Sequence, residues 1–247
     1  MSFGDLNRIN TNLQSLDAQF SLNKINKNLS ETQLRLSTGK SINKAEDDAA
    51  GFSIAAKLSS RIAGLEQALA NTGDAKSVLD IAEASFGSIL DILNTVKTKV
   101  TQAANDTLGN DERGFITEQI SALRGEIDDL VDQTEFQGDP LLDGSFNAQF
   151  QVGERAADTI GVSINNGGVG TGFNSADLGI GGTAIDVTNA ASANGSLGAI
   201  DTAITNVATA VNTLGIDQTK LSIRQETVTQ ASNSNQAARS RIEDADF

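Results

Sequence analysis

Between Leu58 and Val100 a mostly apolar seam runs in steps of three and four, polar only at Thr72 and Lys76, and no proline interrupts it. Leu58, Ile62, Leu65, Leu69, Thr72, Lys76 and Leu79 step by four and three. Ala82, Phe86, Ile89, Leu93, Val96 and Val100 continue the seam after one extra step of three at 79–82. Such spacing places every member on one side of an α-helix, and a doubled three-step is a stammer that changes supercoil locally. The pattern predicts one helix over 49–104, roughly 80 Å long. A helix of that length cannot bury its stripe alone and requires partner helices.

The same period recurs. Leu6, Ile9, Leu13, Leu16 and Phe20 form a heptad seam near the start, followed by Leu22, Ile25, Leu29 and Leu36. Ile116, Ile120, Leu123, Ile127 and Leu130 give another seam beyond a turn-like stretch at 105–114. Leu197, Ile200, Ile204, Val207, Val211 and Leu214 give a further long helix, whose seam turns polar after Leu221 at Gln225, Ser232 and Asn235. Between these helices, Phe146, Ala148, Phe150 and Val152 alternate with polar residues, as do Ile160, Val162 and Ile164, which predicts a β-hairpin. Residues 136–145 read as loop. Residues 165–183 hold seven glycines in nineteen positions and read as a loop-rich insert of low core content. The fold class expected is mainly α with a small β-hairpin region. It is a rod of long antiparallel helices in a coiled-coil-like bundle.

Composition narrows the function. The chain has 247 residues with one proline, no cysteine and no histidine. Thiol catalysis, a Cys/His zinc site and a Ser-His-Asp triad are excluded. A net charge of −14 argues against nucleic acid and against anionic membrane surfaces. No run of about 18 apolar residues is present, so no membrane-spanning helix is expected. The first residues lack the apolar core of a cleaved secretory signal. Gly39-Lys40-Ser41 lacks the upstream glycine of a phosphate loop and follows a helix, so it reads as a helix-ending turn. Asp47-Asp48 reads as charge at the N-terminus of the long helix, or as a subunit contact. Glu243, Asp244 and Asp246 read as a solvated face or an inter-subunit salt bridge. Phe86, Phe115, Phe136, Phe146 and Phe150 read as core. No catalytic, cofactor-binding or metal-binding residue is expected, and the chain is not read as an enzyme.

Three motifs carry a resemblance. LSTGKSINKAEDDAAGFSIA at 36–55, TEFQGDPLLDGSFNAQFQVG at 134–153 and SRIEDADF at 240–247 are similar, in this order, to signatures of the bacterial flagellins. The resemblance spans the chain apart from about 166–194. It implies a structural subunit of the flagellar filament, secreted and extracellular, exported through the flagellar type III apparatus. It also implies a homopolymer, with hook–filament junction and filament cap proteins as further partners. The domains it implies are 1–44, an inner-core helix and connector; 45–165, rod helices and hairpin; 166–194, a short variable outer insert; and 195–247, the C-terminal rod helix. Leu6, Ile9, Leu13, Leu16 and Phe20 would form the self-assembly seam. Leu58, Ile62, Leu65, Phe86, Ile89, Leu93, Ile120, Ile127, Ile204, Val207 and Val211 would pack the rod.

Flagellins continue for about forty residues past the position of Phe247 into a second inner-core helix. The partner of the Leu6–Phe20 seam is therefore missing here, and the chain as given is not expected to form stable filaments. The family's innate-receptor pattern falls on Thr95, Val96, Lys97, Gln102 and Gln119. An arginine is replaced by Thr95 and a glutamate by Gln119, so contact with a Toll-like receptor is expected to be weakened. A junction adaptor of the flagellum is the alternative reading, and the tight SRIEDADF match favours the filament subunit. A filament-borne metallopeptidase would need a His-Glu-x-x-His helix, which a chain without histidine cannot supply.

Overall fold

The long seam folds as one helix. In a computed structural model, which describes residues 12–167 and 171–246, α1 spans Leu13–Thr38, α2 Ala49–Ala103, α3 Asn110–Gln133 and α4 Ala190–Glu243. Four short strands lie between α3 and α4: β1 (Glu135–Phe136), β2 (Asp139–Pro140), β3 (Asn147–Gln151) and β4 (Thr159–Ser163). The chain divides into two compact units. One comprises residues 1–63 with 231–247, the other residues 64–230.

Each helix end has a local cause. Asn12 caps α1 by accepting from Ser15 N at 3.1 Å, and Gly39 ends it at φ +70°, where a side chain would be strained. Asp48 Oδ1 accepts from Ala50 N at the start of α2. Arg113, almost fully buried, donates Nε to Ala103 O and Nη2 to Asn105 O, satisfying carbonyls at the last residue of α2 and just beyond it. Asp111 and Glu112 sit in the first turn of α3, favoured by the helix dipole. Asn189 Oδ1 accepts from Ser192 N and opens α4.

In the larger unit α2 and α4 run antiparallel. An advance along α2 from Lys76 to Asp80 to Lys97 is met by an equal retreat along α4 from Ser222 to Gln218 to Asp201. The buried stripe of α2 is Ile62, Leu65, Ala68, Thr72, Ala75, Leu79, Ala82, Phe86, Ile89, Leu93, Val96, Val100 and Ala103. The doubled three-step therefore falls at 62–65–68 and not at 79–82. Ala68 and Ala75 take the seam because small side chains let the helix faces approach. Leu69 and Lys76 move to its edge, where the lysine amine reaches Ser222 Oγ at 3.3 Å. On α4 the buried positions are Ala193, Ser196, Ile200, Ala203, Val207, Leu214, Asp217, Leu221, Val228 and Ser232.

The expected hairpin is β3–β4, antiparallel with Phe150 opposite Ile160 and Ala148 opposite Val162. A second, two-residue ladder, β1–β2, lies in the stretch read as loop. Its turn places Gln137 at φ 56° and Gly138 at φ 90°, the positive-φ pair that suits tight hairpins.

The Gly-rich stretch requires a correction, since low core content does not hold for the larger unit. Phe173, Leu178, Ile180, Ile185 and Val187 are buried in the same core as α2, α3 and α4. Phe173 meets Phe86 edge-to-face with ring centroids 4.6 Å apart. Asp128 of α3 accepts from Ser175 N and Oγ, and Arg124 Nη1 donates to Ile180 O and Gly182 O. The chain crosses itself at Gly172, where a Cβ would lie 2.7 Å from the Asp143 carbonyl. α4 also begins earlier than expected, inside the region assigned to the insert.

Candidate assembly surfaces

None of the residues of α1 is buried. Leu13, Leu16 and Phe20 are 56%, 57% and 71% exposed, and Leu22, Ile25, Leu29 and Leu36 are exposed as well. Leu6 and Ile9, the other expected seam members, lie outside the described residues. At 3.6 residues per turn, Leu13, Leu16 and Phe20 share one side of α1. Leu22, Ile25, Leu29 and Leu36 share the opposite side. A single partner helix covers one side only, so α1 presents apolar surface for partners on two sides.

The smaller unit brings the first and third sequence motifs together. Lys40 bridges to Asp244 in antiparallel fashion. Ser41 N donates to Glu243 O at 2.7 Å, and Ala245 N to Gly39 O at 2.9 Å. The Lys40 ammonium sits 2.7 Å from Glu243 Oε1. The connector is tied from within by Asp47, whose Oδ2 accepts from Lys44 N and Asn43 N, with Arg35 nearby at 3.8 Å. Those two N–H groups, helped by Arg35 and opposed by desolvation, hold the Asp47 carboxyl below the usual aspartate range. A Cβ on Gly51 would stand 2.6 Å from both Asp48 Oδ2 and Ile42 Cδ1. Close packing of the helix start onto the connector thus explains the glycine after Asp-Asp-Ala-Ala.

Of the expected rod residues, Ile62, Leu65, Phe86, Ile89, Leu93, Ile120, Ile127 and Val207 are buried, while Leu58, Ile204 and Val211 are half-buried. In the expected receptor patch, Thr95, Gln102 and Gln119 are exposed, and Lys97 pairs with Asp201 at 2.6 Å. Val96 is fully buried and belongs to the core, not to a surface patch. Phe115 departs from the core reading: it is 63% exposed on the outward side of α3. Its place off the Ile116–Ile120 stripe was the available signal. Asp217 was missed, although it sits at a seam position between Leu214 and Leu221. Its buried carboxylate is met by Lys220 Nζ at 2.8 Å.

What these elements offer is packing surface: sealed helix seams in one unit and open apolar faces in the other. That is the character of a subunit built to associate through its helices. Residues 9–147 match the model of the bacterial flagellin N-terminal helical region, and residues 197–247 that of the C-terminal helical region. The chain belongs to the bacterial flagellin family, a family of structural proteins.

It is 38% identical over 159 residues to the B-type flagellin of Pseudomonas aeruginosa, covering 64% of this chain and 33% of that relative. It is 30% identical over 250 residues to the flagellin of Listeria monocytogenes, covering 97% of this chain and 87% of the relative. The chain thus spans about a third of the Pseudomonas protein and most of the Listeria one. The crystal structure of Bacillus cereus flagellin superposes with a TM-score of 0.56 at 27% identity, covering 68% of this chain and 94% of that one. A Vibrio parahaemolyticus protein described as flagellar hook-associated gives 0.67 at 17% identity, covering 80% and 100%. The latter likeness speaks to fold alone. Among the described residues no helix is long and apolar enough to cross a membrane.

Proposed function

We propose that this chain is a structural subunit that polymerises into the bacterial flagellar filament and serves swimming motility. The observation that carries the proposal is α1, whose large apolar residues are all exposed and lie on two opposite sides. Leaving these eight side chains, Leu34 included, in water forfeits on the order of 10 kcal/mol, at roughly 1.5–3 kcal/mol for each one fully buried. Neighbouring copies recover that free energy, and a contact that joins different patches repeats without closing. The inner-core role falls to Leu6, Ile9, Leu13, Leu16 and Phe20, and the four domains named above follow the same partition.

Export through the flagellar type III apparatus, an extracellular location, and contacts with junction and cap proteins belong to the same proposal. The role is structural and not catalytic. Identities of 30–38% to flagellins favour the filament subunit over a junction adaptor. Seeded growth of the full-length protein, followed by electron microscopy, is expected to lengthen filaments. Seeds that stay the same length count against the proposal. At the receptor patch, a Toll-like receptor reporter assay is expected to give weak or no activation, because Thr95 and Gln119 lack charge; full potency overturns that expectation.

A further inference from the structure

Asparagine followed by glycine is the pair at which a polypeptide most readily attacks itself. The glycine nitrogen can reach the asparagine side-chain carbon, and no side chain crowds its approach. The chain has two such pairs, Asn166-Gly167 and Asn194-Gly195. Their surroundings differ. Asn194 and Gly195 are exposed, but both lie inside α4. There the Gly195 N–H is turned to the carbonyl one turn back, and the Asn194 side chain leans toward the helix start, away from that nitrogen. Asn166 follows β4 in a loop. Gly167 is exposed at φ +79°, and among the described residues nothing accepts from its N–H. Two nearby asparagines are guarded. Asn165 precedes Asn166, whose N–H donates to Thr171 O at 2.9 Å. Asn174 precedes Ser175, whose N–H donates to Asp128 Oδ1 at 2.6 Å.

We propose that Asn166 is a site of spontaneous deamidation, and that the reaction turns a tie on the docked glycine-rich segment into a negative charge. Gly167 N bonds to Asn166 Cγ and gives up its proton, and the Cγ–Nδ2 bond breaks to release ammonia. Water opens the resulting ring at either carbonyl, leaving aspartate or β-linked isoaspartate. Water is the one co-reactant, and nothing is oxidised or reduced. Asn166 Nδ2 donates to Asp177 O at 3.2 Å, and the Asp177 carboxylate accepts from Gly172 N and Asn174 Nδ2. An ionised carboxylate at 166 has no hydrogen to give to that carbonyl. It also adds a negative charge to the hollow beside α4 that Asn166 and Asp217 both line. The isoaspartate form adds an atom to the main chain after Asn166, out of step with the turn that its N–H closes on Thr171 O. The start of the docked segment therefore loosens in either product. The inference goes beyond the filament reading and needs only the folded chain.

The test holds the folded chain at mildly alkaline pH in water carrying a heavy oxygen isotope, and tandem mass spectrometry then localises the label taken up. Label at 166 is expected to accumulate about tenfold faster than at 194 or more, since Asn194 reacts only when the first turns of α4 open. In urea, where α4 is unfolded, the two pairs are expected to react at similar rates. Equal rates at 166 and 194 in the folded chain overturn the proposal. So does an unlabelled Asn166 after a time in which the urea sample has converted. Asn166→Gln, which keeps the amide but lengthens the side chain, is expected to abolish labelling at 166 and leave that at 194 unchanged; persistent labelling at 166 places the reaction elsewhere and overturns the site. Asn166→Asp supplies the charge at once. It is expected to speed limited proteolysis within 171–182 by about threefold or more, the equivalent of one modest hydrogen bond. Cleavage at the unmodified rate overturns the loosening.

Discussion

Phe173 tests whether the glycine-rich segment belongs to the core. Its side chain is fully buried, as is that of Phe86, and the rings meet at 79° with centroids 4.6 Å apart. Phe173→Ala removes a buried ring and leaves a cavity, a loss of about 3–5 kcal/mol. Were the segment a lobe outside the core, the same substitution would move stability by no more than about 0.5 kcal/mol. The two expectations differ several-fold, so an error of about 1 kcal/mol does not blur them. Urea unfolding followed by the helical circular-dichroism signal reads the change as a lower midpoint at constant slope. A double-mutant cycle of Phe86→Leu and Phe173→Leu then isolates the ring pair, expected at about 0.5–1.5 kcal/mol. A loss under about 1 kcal/mol for Phe173→Ala, together with zero coupling, refutes the docked segment.

Asp47 gives a pH prediction. Its folded pKa is depressed by the Lys44 and Asn43 N–H groups, so its contribution is present above the ordinary aspartate value and is lost as pH falls through the lowered folded one. Protease sensitivity of the 39–47 connector is expected to rise over that acid window in the wild type and to be flat with pH in Asp47→Asn; equal pH profiles count against the tie. Leu16→Ser with Phe20→Ser is expected to stop filament growth and leave the monomer melt unchanged, because neither residue is buried. A melt lowered by more than a few degrees contradicts an open α1.

How far these elements were legible depended on what a period can record. The helices spanning 58–100 and 197–214 were readable because a three-four spacing has one structural solution, and the hairpin because Phe150 and Ile160 sit in alternating runs. The stammer falls elsewhere because a four-three step continued from Leu69 lands on Lys76, whereas a close helix interface selects Ala68 and Ala75. Phe115 was read by residue type, when its position between Gly114 and Ile116 set it off the buried stripe. The apolar residues of 173–187 follow no period, since a loop path, not a helix or strand, decides which of them turn inward. The clasp between 39–41 and 243–245 joins segments about two hundred residues apart by backbone hydrogen bonds, which leave no side-chain signature. Resemblance to a family placed those motifs in order, but their contact needed the structure.

The two kinds of apolar surface imply a division of labour. Along α2 the seam is closed by Ala68, Ala75 and Ala82 alternating with larger residues, so in the larger unit helix faces approach closely and the stripe is satisfied within one chain. Along α1 no alanine-lined approach exists within the described chain, and Leu, Ile and Phe stay in water. Folding free energy and assembly free energy are therefore drawn from different residues. A substitution in the α2 seam lowers monomer stability first. One on α1 lowers the association constant and leaves the fold intact. Separation of this kind lets a subunit remain folded before assembly and still gain from every neighbour it meets, which neither a fully sealed rod nor a fully open helix provides.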